Sequence, residues 1–137
     1  MNVLAVDLGH ARTGLAVSDG GGFLASPLCV ITEYSDEKLT EKIAAKAADV
    51  KADILVVGLP KNMDGTEGES AQRARSIAEK LSERTGIPHV MQDERGTTIT
   101  AHAYLSSGSV YGKKRKQKVD AVAACIILQD YLDSRRS

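Results

Sequence analysis

The sequence predicts an α/β protein built on a mixed five-stranded sheet with helices on both faces. Three observations lead to this prediction. Short apolar segments separated by glycine-rich turns fill the first third of the chain, which is typical of an antiparallel meander. Helical and strand-like segments then alternate, which is typical of right-handed crossovers onto parallel strands. Hydrophobic residues make up 42% of the 137 residues, so we expect one globular domain spanning residues 1–137.

The meander is predicted from three apolar segments that lie close together in the sequence. They cover Asn2–Asp7, Thr13–Ser18 and Gly22–Ile31. Gly9 and Gly14 bracket the first turn, and the run of glycines after Asp19 marks the second as a hairpin turn. Because both turns are short, we expect neighbouring strands to pair antiparallel.

A helix is predicted after the meander, because Ser35 is a favourable N-cap and acidic residues follow it in the first turn. Its inward face is predicted from residues at helical spacing, Leu39, Ile43, Ala47 and Val50. The next segment, Asp53–Gly58, is apolar almost throughout. This pattern indicates a strand buried on both faces in a parallel setting.

A second helix follows, and Thr66 and Glu69 have the spacing of a capping box at its start. Its predicted inward face consists of Ala71, Ala74, Ile77, Ala78 and Leu81. Gly86 ends this helix, and Pro88–Gln92 is the fifth predicted strand. A short helix from Thr97 or Thr98 to about Leu105, a Gly/Ser/Lys loop and a final helix from about Lys118 to Leu132 complete the predicted elements.

Composition excludes several classes of function. The 18 basic and 18 acidic residues balance, so a nucleic-acid function must rest on local clusters of charge. Aromatic residues make up only 4% of the chain, which argues against a base-stacking platform as the main binding device. No signal peptide is recognisable, and the longest apolar run, Ala121–Leu128, is far shorter than the ~20 residues of a membrane span. We therefore expect a cytoplasmic protein, with Cys29 and Cys125 as buried, reduced thiols.

Carboxylates at the ends of predicted elements are the main indication of chemistry. Asp7 closes the first strand, Asp93 and Glu94 close the fifth, and Asp120 lies at the edge of the apolar face of the last helix. The carboxyl ends of parallel strands meet at one edge of a sheet, where open α/β sheets bind ligands. Clustered carboxylates repel one another unless a cation neutralises them, and oxygen ligands suit Mg²⁺ or Mn²⁺. Taken singly, each acid has a local alternative, such as a turn hydrogen bond for Asp7.

Clustered cations suggest the substrate. A basic run consists of Lys113, Lys114, Arg115 and Lys116 and ends four residues before Asp120. Three more cations follow predicted strands, namely Arg12, Lys61 and Arg95. Cations beside a carboxylate metal site suit a phosphodiester polymer, whose backbone they would position. The alternative for the basic run is a solvated segment. Asn62, Asp64 and Gly65 are typical of a turn, with a substrate-contacting loop as the alternative.

These segments together resemble the YqgF/RuvX family over essentially the whole chain. The matching segments are Asp7-Leu8-Gly9 with Arg12, Gly58–Gly65 (GLPKNMDG), Asp93-Glu94-Arg95 with Thr97-Thr98, and the basic run with Val119-Asp120. The resemblance implies an RNase H-like fold, kinship with Holliday-junction resolvases, and a nuclease that matures the 5′ end of precursor 16S rRNA. It also implies that the catalytic acids are Asp7, Glu94 (or Asp93) and Asp120.

Two departures from the related nucleases leave the number of metal ions open. RNase H and related resolvases have a glutamate at the end of the fourth strand, where this chain has Gly58-Leu59-Pro60. The resolvases also carry a second acid on the last helix, where this chain has Ala123. The expected metal is one or two Mg²⁺ or Mn²⁺ ions held by Asp7, Glu94 and Asp120.

The leading hypothesis is therefore a metal-dependent endonuclease, with precursor rRNA as the expected partner and branched DNA as an alternative. A second hypothesis is a non-catalytic nucleic-acid-binding or ribosome-assembly factor with an incomplete set of acids. A D-x-G motif after a first strand also occurs in ATPases of the actin and sugar-kinase type. Those enzymes need a duplicated domain, for which 137 residues leave no room.

Overall fold

The computed structural model describes residues 1–93 and 112–136, with the backbone alone for residues 112–120 and Arg136. Its strands are β1 (Val3–Leu8), β2 (Arg12–Ser18), β3 (Ala25–Thr32), β4 (Ile54–Leu59) and β5 (His89–Asp93). Its helices in these ranges are α1 (Asp36–Asp49), α2 (Glu69–Thr85) and α3 (Gly112–Arg136). The short helix predicted between Thr97 and Leu105 lies outside the described residues.

The strands form one five-stranded sheet in the order β3-β2-β1-β4-β5. β2 pairs antiparallel with both β1 and β3, whereas β4 pairs parallel with both β1 and β5. The prediction of a mixed sheet with an antiparallel meander is confirmed. Because β1, β4 and β5 run in the same direction, they end at the same side of the sheet, which we call the carboxyl edge.

Alternation along the strands divides the core into two layers. In β1, Leu4 and Val6 pack with α1 and α2, whereas Val3 and Ala5 pack with α3. The predicted inward face of α2 is confirmed, since all five of its residues are buried. On α1, Leu39, Ile43 and Ala47 are fully buried, whereas Val50 is only partly buried against the core.

The start of α1 is confirmed, and the predicted start of α2 is wrong. Ser35 Oγ accepts a hydrogen bond from the Lys38 amide at 3.3 Å, as an N-cap should. α2 begins after Gly68 with no side-chain cap. Thr66 donates instead from its amide and its hydroxyl to Asp64 Oδ1, at 2.9 and 2.7 Å. This local turn removes Thr66 from the helix, because such side-chain bonds compete with helical ones.

The last helix begins earlier than predicted, at Gly112 instead of near Lys118. The basic run therefore lies on the first turns of α3 and not in a loop. Lys and Arg are good helix formers, so they extend the helix once its later turns pack on the sheet. Among the described residues, no helix is long and apolar enough to cross a membrane.

Two turn boundaries also differ from the predictions. Gly14 does not border the first turn but lies within β2, paired with Asp7. β3 begins at Ala25 because Asp19 holds the preceding residues in a turn, accepting hydrogen bonds from the Phe23 and Leu24 amides at 2.7 and 3.1 Å. These backbone hydrogen bonds lower the pKa of the Asp19 carboxyl.

The two cysteines are free thiols, as expected, but each is only partly buried. Cys29 packs against the layer of α1 and α2, and Cys125 packs against the α3 layer. Burial raises the pKa of Cys125 to about 11. Its thiol is therefore protonated at neutral pH and is a poor nucleophile.

The β1–β2 turn after Asp7 requires glycine at position 9. A Cβ on Gly9 would collide with the carbonyl oxygen of Arg12. We expect Gly9→Ala to lower the free energy of unfolding by about 1–3 kcal/mol, as overpacking usually does. Thermal and urea unfolding measure this effect. Gly20→Ala is the control, because a Cβ at Gly20 meets no atom within 4 Å, and equal stability of the two variants would contradict the prediction.

Candidate active site

Asp7 lies at the carboxyl edge, on the sheet face that α3 covers. It is partly buried. By the two-residue alternation of β1 it lies on the same face as Val3 and Ala5, which pack with α3. On β2, Asp7 pairs with Gly14. On β4, Val57 pairs with Val6, so Gly58 is the residue next to Asp7. The residues directly beside Asp7 on both neighbouring strands are therefore glycines.

Asp93 lies at the same edge but on the other face of the sheet. It ends β5, is exposed, and pairs in register with Leu59 at the end of β4. Met91 packs in the α1–α2 layer and Val90 in the α3 layer. The two-residue alternation therefore assigns Asp93 to the face of α1 and α2, opposite Asp7. Glu94 and Arg95 lie outside the described residues.

Gln129 fixes how α3 runs along the sheet. Its Oε1 accepts a hydrogen bond from the Ala25 amide and its Nε2 donates to the Phe23 carbonyl, both at 3.0 Å. Phe23 and Ala25 border the β2–β3 turn, at the edge opposite the carboxyl edge. The amino-terminal part of α3 therefore points toward the carboxyl edge.

The backbone of residue 120 lies at about the level of Asp7. It stands nine residues before Gln129, a helical distance of about 13–14 Å. Val3 to Asp7 spans about 13 Å of strand in the same direction. Position 120 is also three, four and seven residues before Ala123, Ala124 and Ile127, which are all buried. It therefore belongs to the sheet-facing side of α3.

Two of the predicted phosphate-binding cations, Arg12 and Lys61, lie in the described residues near this edge. Arg12 is the first residue of β2. By alternation it lies on the same face as Gly14 and Ala16, and Ala16 packs with α3. Lys61 is partly buried two residues beyond β4 and forms an isolated bridge with Glu67. The backbone of Lys113 lies about 10 Å beyond position 120 along α3. The basic run therefore continues past the level of Asp7.

Arg73 positions the turn that follows Asp7, and sequence reasoning missed it. Its Nη1 donates to the Gly9 carbonyl at 2.8 Å, while Nε and Nη2 donate to Asp36 Oδ1 at 3.0 and 2.9 Å. One guanidinium thus joins α2, the start of α1 and the β1–β2 turn. The local pattern shows only an arginine beside buried alanines, and nothing in it indicates partners 37 and 64 residues away.

The segment between β4 and α2 is a turn closed by its own hydrogen bonds, as predicted for Asn62, Asp64 and Gly65. The Asn62 amide donates to the Thr66 carbonyl and the Gly65 amide donates to the Asn62 carbonyl, both at 2.8 Å. Arg75 binds both carboxylate oxygens of Glu67 at 2.8 Å and thereby lowers the pKa of Glu67. We call residues 61–67 the β4–α2 turn.

Among the side chains that the structure describes, no three His, Cys, Asp or Glu come together to hold a metal ion. Two of the four predicted acids do not belong to that set. Glu94 lies outside the described ranges, and Asp120 is described by its backbone alone.

A comparison with models of protein families shows which family the chain belongs to. A family model described as RuvX, Holliday junction resolvase, matches residues 1–134. The chain belongs to this RuvX family. The resemblance recognised in the sequence is therefore confirmed.

Sequence alignments with relatives of this RuvX protein extend over almost its whole length. A protein of Nitrosospira multiformis named "Putative pre-16S rRNA nuclease" is 41% identical over 134 residues, which cover 98% of this chain and 89% of the relative. A Geobacillus thermodenitrificans protein of the same name is 41% identical over 138 residues, covering 99% and 100% of the two chains.

A solved structure shows the same fold at low identity. RuvC of T. thermophilus, in complex with a Holliday junction substrate, superimposes with a TM-score of 0.64 and 14% identity. The match covers 99% of this chain and 96% of RuvC. The RuvX chain therefore has the RNase H-like fold, as the resemblance implied.

Proposed function

We propose that this RuvX protein is a metal-dependent endonuclease that hydrolyses phosphodiester bonds in precursor 16S rRNA, during maturation of its 5′ end in the cytoplasm. The names of its full-length relatives support the nuclease activity and the rRNA substrate. One structural observation supports the site itself. Asp7 lies at the carboxyl edge on the face that α3 covers, and the rise of the helix and of the strand puts backbone position 120 at about the same level.

The acids proposed to hold the metal are Asp7, Glu94 and Asp120. Glu94 is preferred over Asp93 because Asp93 belongs to the face opposite Asp7. Carboxylate oxygens are the donors that Mg²⁺ and Mn²⁺ prefer. A bound divalent ion would lower the pKa of a water molecule and stabilise negative charge on the phosphate.

The cations are proposed to hold the phosphodiester backbone across these acids. Arg12 and Lys61 lie by turns at the carboxyl edge, Arg95 stands two residues after β5 in the sequence, and the backbone of the basic run continues α3 in the direction of that edge. Phosphate contacts fix register and orientation but carry no base information. Recognition should therefore depend on the shape of the substrate more than on its sequence.

Cleavage of branched DNA is the second candidate, because the matching family is described as a Holliday junction resolvase. The same acids and cations would serve either polymer. The two substrates differ at the bases and at the 2′-hydroxyl, which the sugar contacts of the protein would have to distinguish.

A cleavage assay tests the proposal. The purified chain is incubated with precursor 16S rRNA spanning the 5′ end and with a four-way DNA junction, in Mg²⁺, in Mn²⁺ and in EDTA. We expect the RNA to be cut in the presence of either metal and left intact in EDTA. Cutting of the junction alone would favour the second candidate. Binding without cutting in either metal would instead support a ribosome-assembly factor.

A further inference from the structure

Two water-exposed side chains, Tyr34 and Met63, stand at the carboxyl edge without serving the core. Tyr34 is 76% exposed and Met63 is 75% exposed. Tyr34 follows β3 and Met63 follows β4, and both of these strands end at the carboxyl edge. In the sheet order, β1 with Asp7 lies between β3 and β4. The two side chains therefore flank the strand of Asp7 on opposite sides.

The backbone of Tyr34 is held in place by its neighbours. The Glu33 amide donates to the Ala11 carbonyl at 2.9 Å, which ties this connection to the β1–β2 turn. Glu33 Oε2 accepts from the amides of Tyr34 and Ser35 at 3.1 and 3.2 Å, and its Oε1 accepts from Lys42 Nζ at 2.9 Å. Tyr34 is thus presented to solvent from an ordered backbone.

Met63 is presented in the same way, at the tip of the β4–α2 turn. The hydrogen bonds of Asn62, Gly65 and Thr66 close this turn on both sides of Met63. The β4–α2 turn contains Lys61, Asp64 and Glu67, and Arg75 on α2 pairs with Glu67, so the turn and Arg75 together carry no net charge. An apolar tip without net charge is suited to a base and not to a phosphate.

Single exposed apolar residues are ordinary on protein surfaces, so exposure alone does not assign a role. Position distinguishes this pair. The other large apolar side chains exposed in the described ranges, Met1, Phe23 and Leu24, lie toward the opposite edge, near the β2–β3 turn. β3 and β4 are three strand spacings apart, about 14 Å, so two contacts across this edge could hold separate bases of one strand.

We infer that Tyr34 and Met63 bind unpaired bases on either side of the scissile phosphate and thereby select single-stranded segments of the substrate. This inference rests on the proposed function, because it assumes a nucleic-acid substrate at the carboxyl edge. Tyr34 stacks on the face of a base, and Met63 covers a second base with its apolar thioether. Stacked contacts of this kind require bases that are free of a duplex and tolerate any sequence.

The test compares binding of a fluorescent single-stranded RNA 12-mer with binding of the duplex of the same sequence, both in EDTA so that no cleavage occurs. We expect Tyr34→Ala and Met63→Ala each to weaken single-strand binding by about tenfold, with little change for the duplex. The slope of log affinity against log salt should stay unchanged, because neither residue is charged. Tyr34→Phe and Met63→Leu should retain wild-type binding.

Phe23→Ala and Leu24→Ala are the matched controls, since they remove similar exposed side chains at the opposite edge and should not alter binding. Unfolding curves confirm that all variants are folded. Wild-type affinity of both alanine variants for the single strand, or equal losses for strand and duplex, would overturn the inference. Metal-dependent cleavage by those variants would then leave the proposed function intact, whereas a wild-type chain that neither binds the RNA in EDTA nor cleaves nucleic acid in Mg²⁺ or Mn²⁺ would overturn both.

Discussion

Replacing Asp7 by Asn is expected to lower the rate of metal-dependent phosphodiester cleavage by at least about a hundredfold. A catalytic metal supplies several kcal/mol of transition-state stabilisation, and about 1.4 kcal/mol corresponds to a tenfold change in rate. The amide keeps the size of the carboxylate but removes the negative charge that would hold the ion. The measurement is the single-turnover cleavage rate in Mg²⁺, with an unfolding curve for each variant.

Asp120→Asn is expected to have an effect of the same order, because residue 120 lies level with Asp7 on the sheet-facing side of α3. Two matched controls carry the same chemical change elsewhere. One control is Asp130→Asn, since Asp130 lies on α3 ten residues after position 120. The other is Asp49→Asn, since Asp49 is the last residue of α1, near the opposite edge of the sheet. Burial and the nearby Asp133 raise the pKa of Asp130, so its replacement should not destabilise the helix.

The comparison among these variants decides the role of the two acids. Cleavage by folded Asp7→Asn and Asp120→Asn at the rate of the two controls would remove both acids from the catalytic site. Loss of cleavage in all four variants would point to a general effect of charge. Full biological activity of a folded Asp7→Asn protein would favour the ribosome-assembly hypothesis.

Neutralising the basic run is expected to weaken nucleic-acid binding about equally for all sequences. The variant replaces Lys113, Lys114, Arg115 and Lys116 by Gln, a good helix former that preserves the start of α3. For every phosphate that the variant no longer binds, the slope of log affinity against log salt should flatten by about 0.7 for single strands and about 0.9 for duplexes. Titrations at several salt concentrations measure both the affinity and the slope.

The control for the basic run replaces an equal number of cations near the α1–α2 face by Gln, namely Lys38, Lys46, Lys51 and Lys80. This control should leave the salt slope close to that of the wild type. We expect the free energy of unfolding of the basic-run variant to change by less than about 0.5 kcal/mol, as for most surface substitutions. An unchanged slope would mean that the basic run is a solvated face of α3.

Features that depend on local pattern could be predicted from the sequence. The inward face of α2 was predicted residue by residue, because helical spacing of alanine and leucine specifies which side is apolar. Ser35 and Gly86 were also placed correctly, since a capping side chain and a left-handed glycine act within a few residues. The capping box at Thr66 was wrong because Asp64, only two residues away, offered that residue a competing bond.

The sequence by itself determined the order of the elements that the structure describes and the presence of Asp7 and Asp93 at the carboxyl edge. Strand ends and strand direction follow from local apolar runs and crossovers. Only the tertiary structure assigned Asp7 and Asp93 to opposite faces, set glycines beside Asp7, and brought Arg73 to the Gly9 carbonyl. These relations depend on register between distant strands and on which helix covers which face. A one-residue change of register reverses every side chain of a strand, so only the packed sheet can decide them.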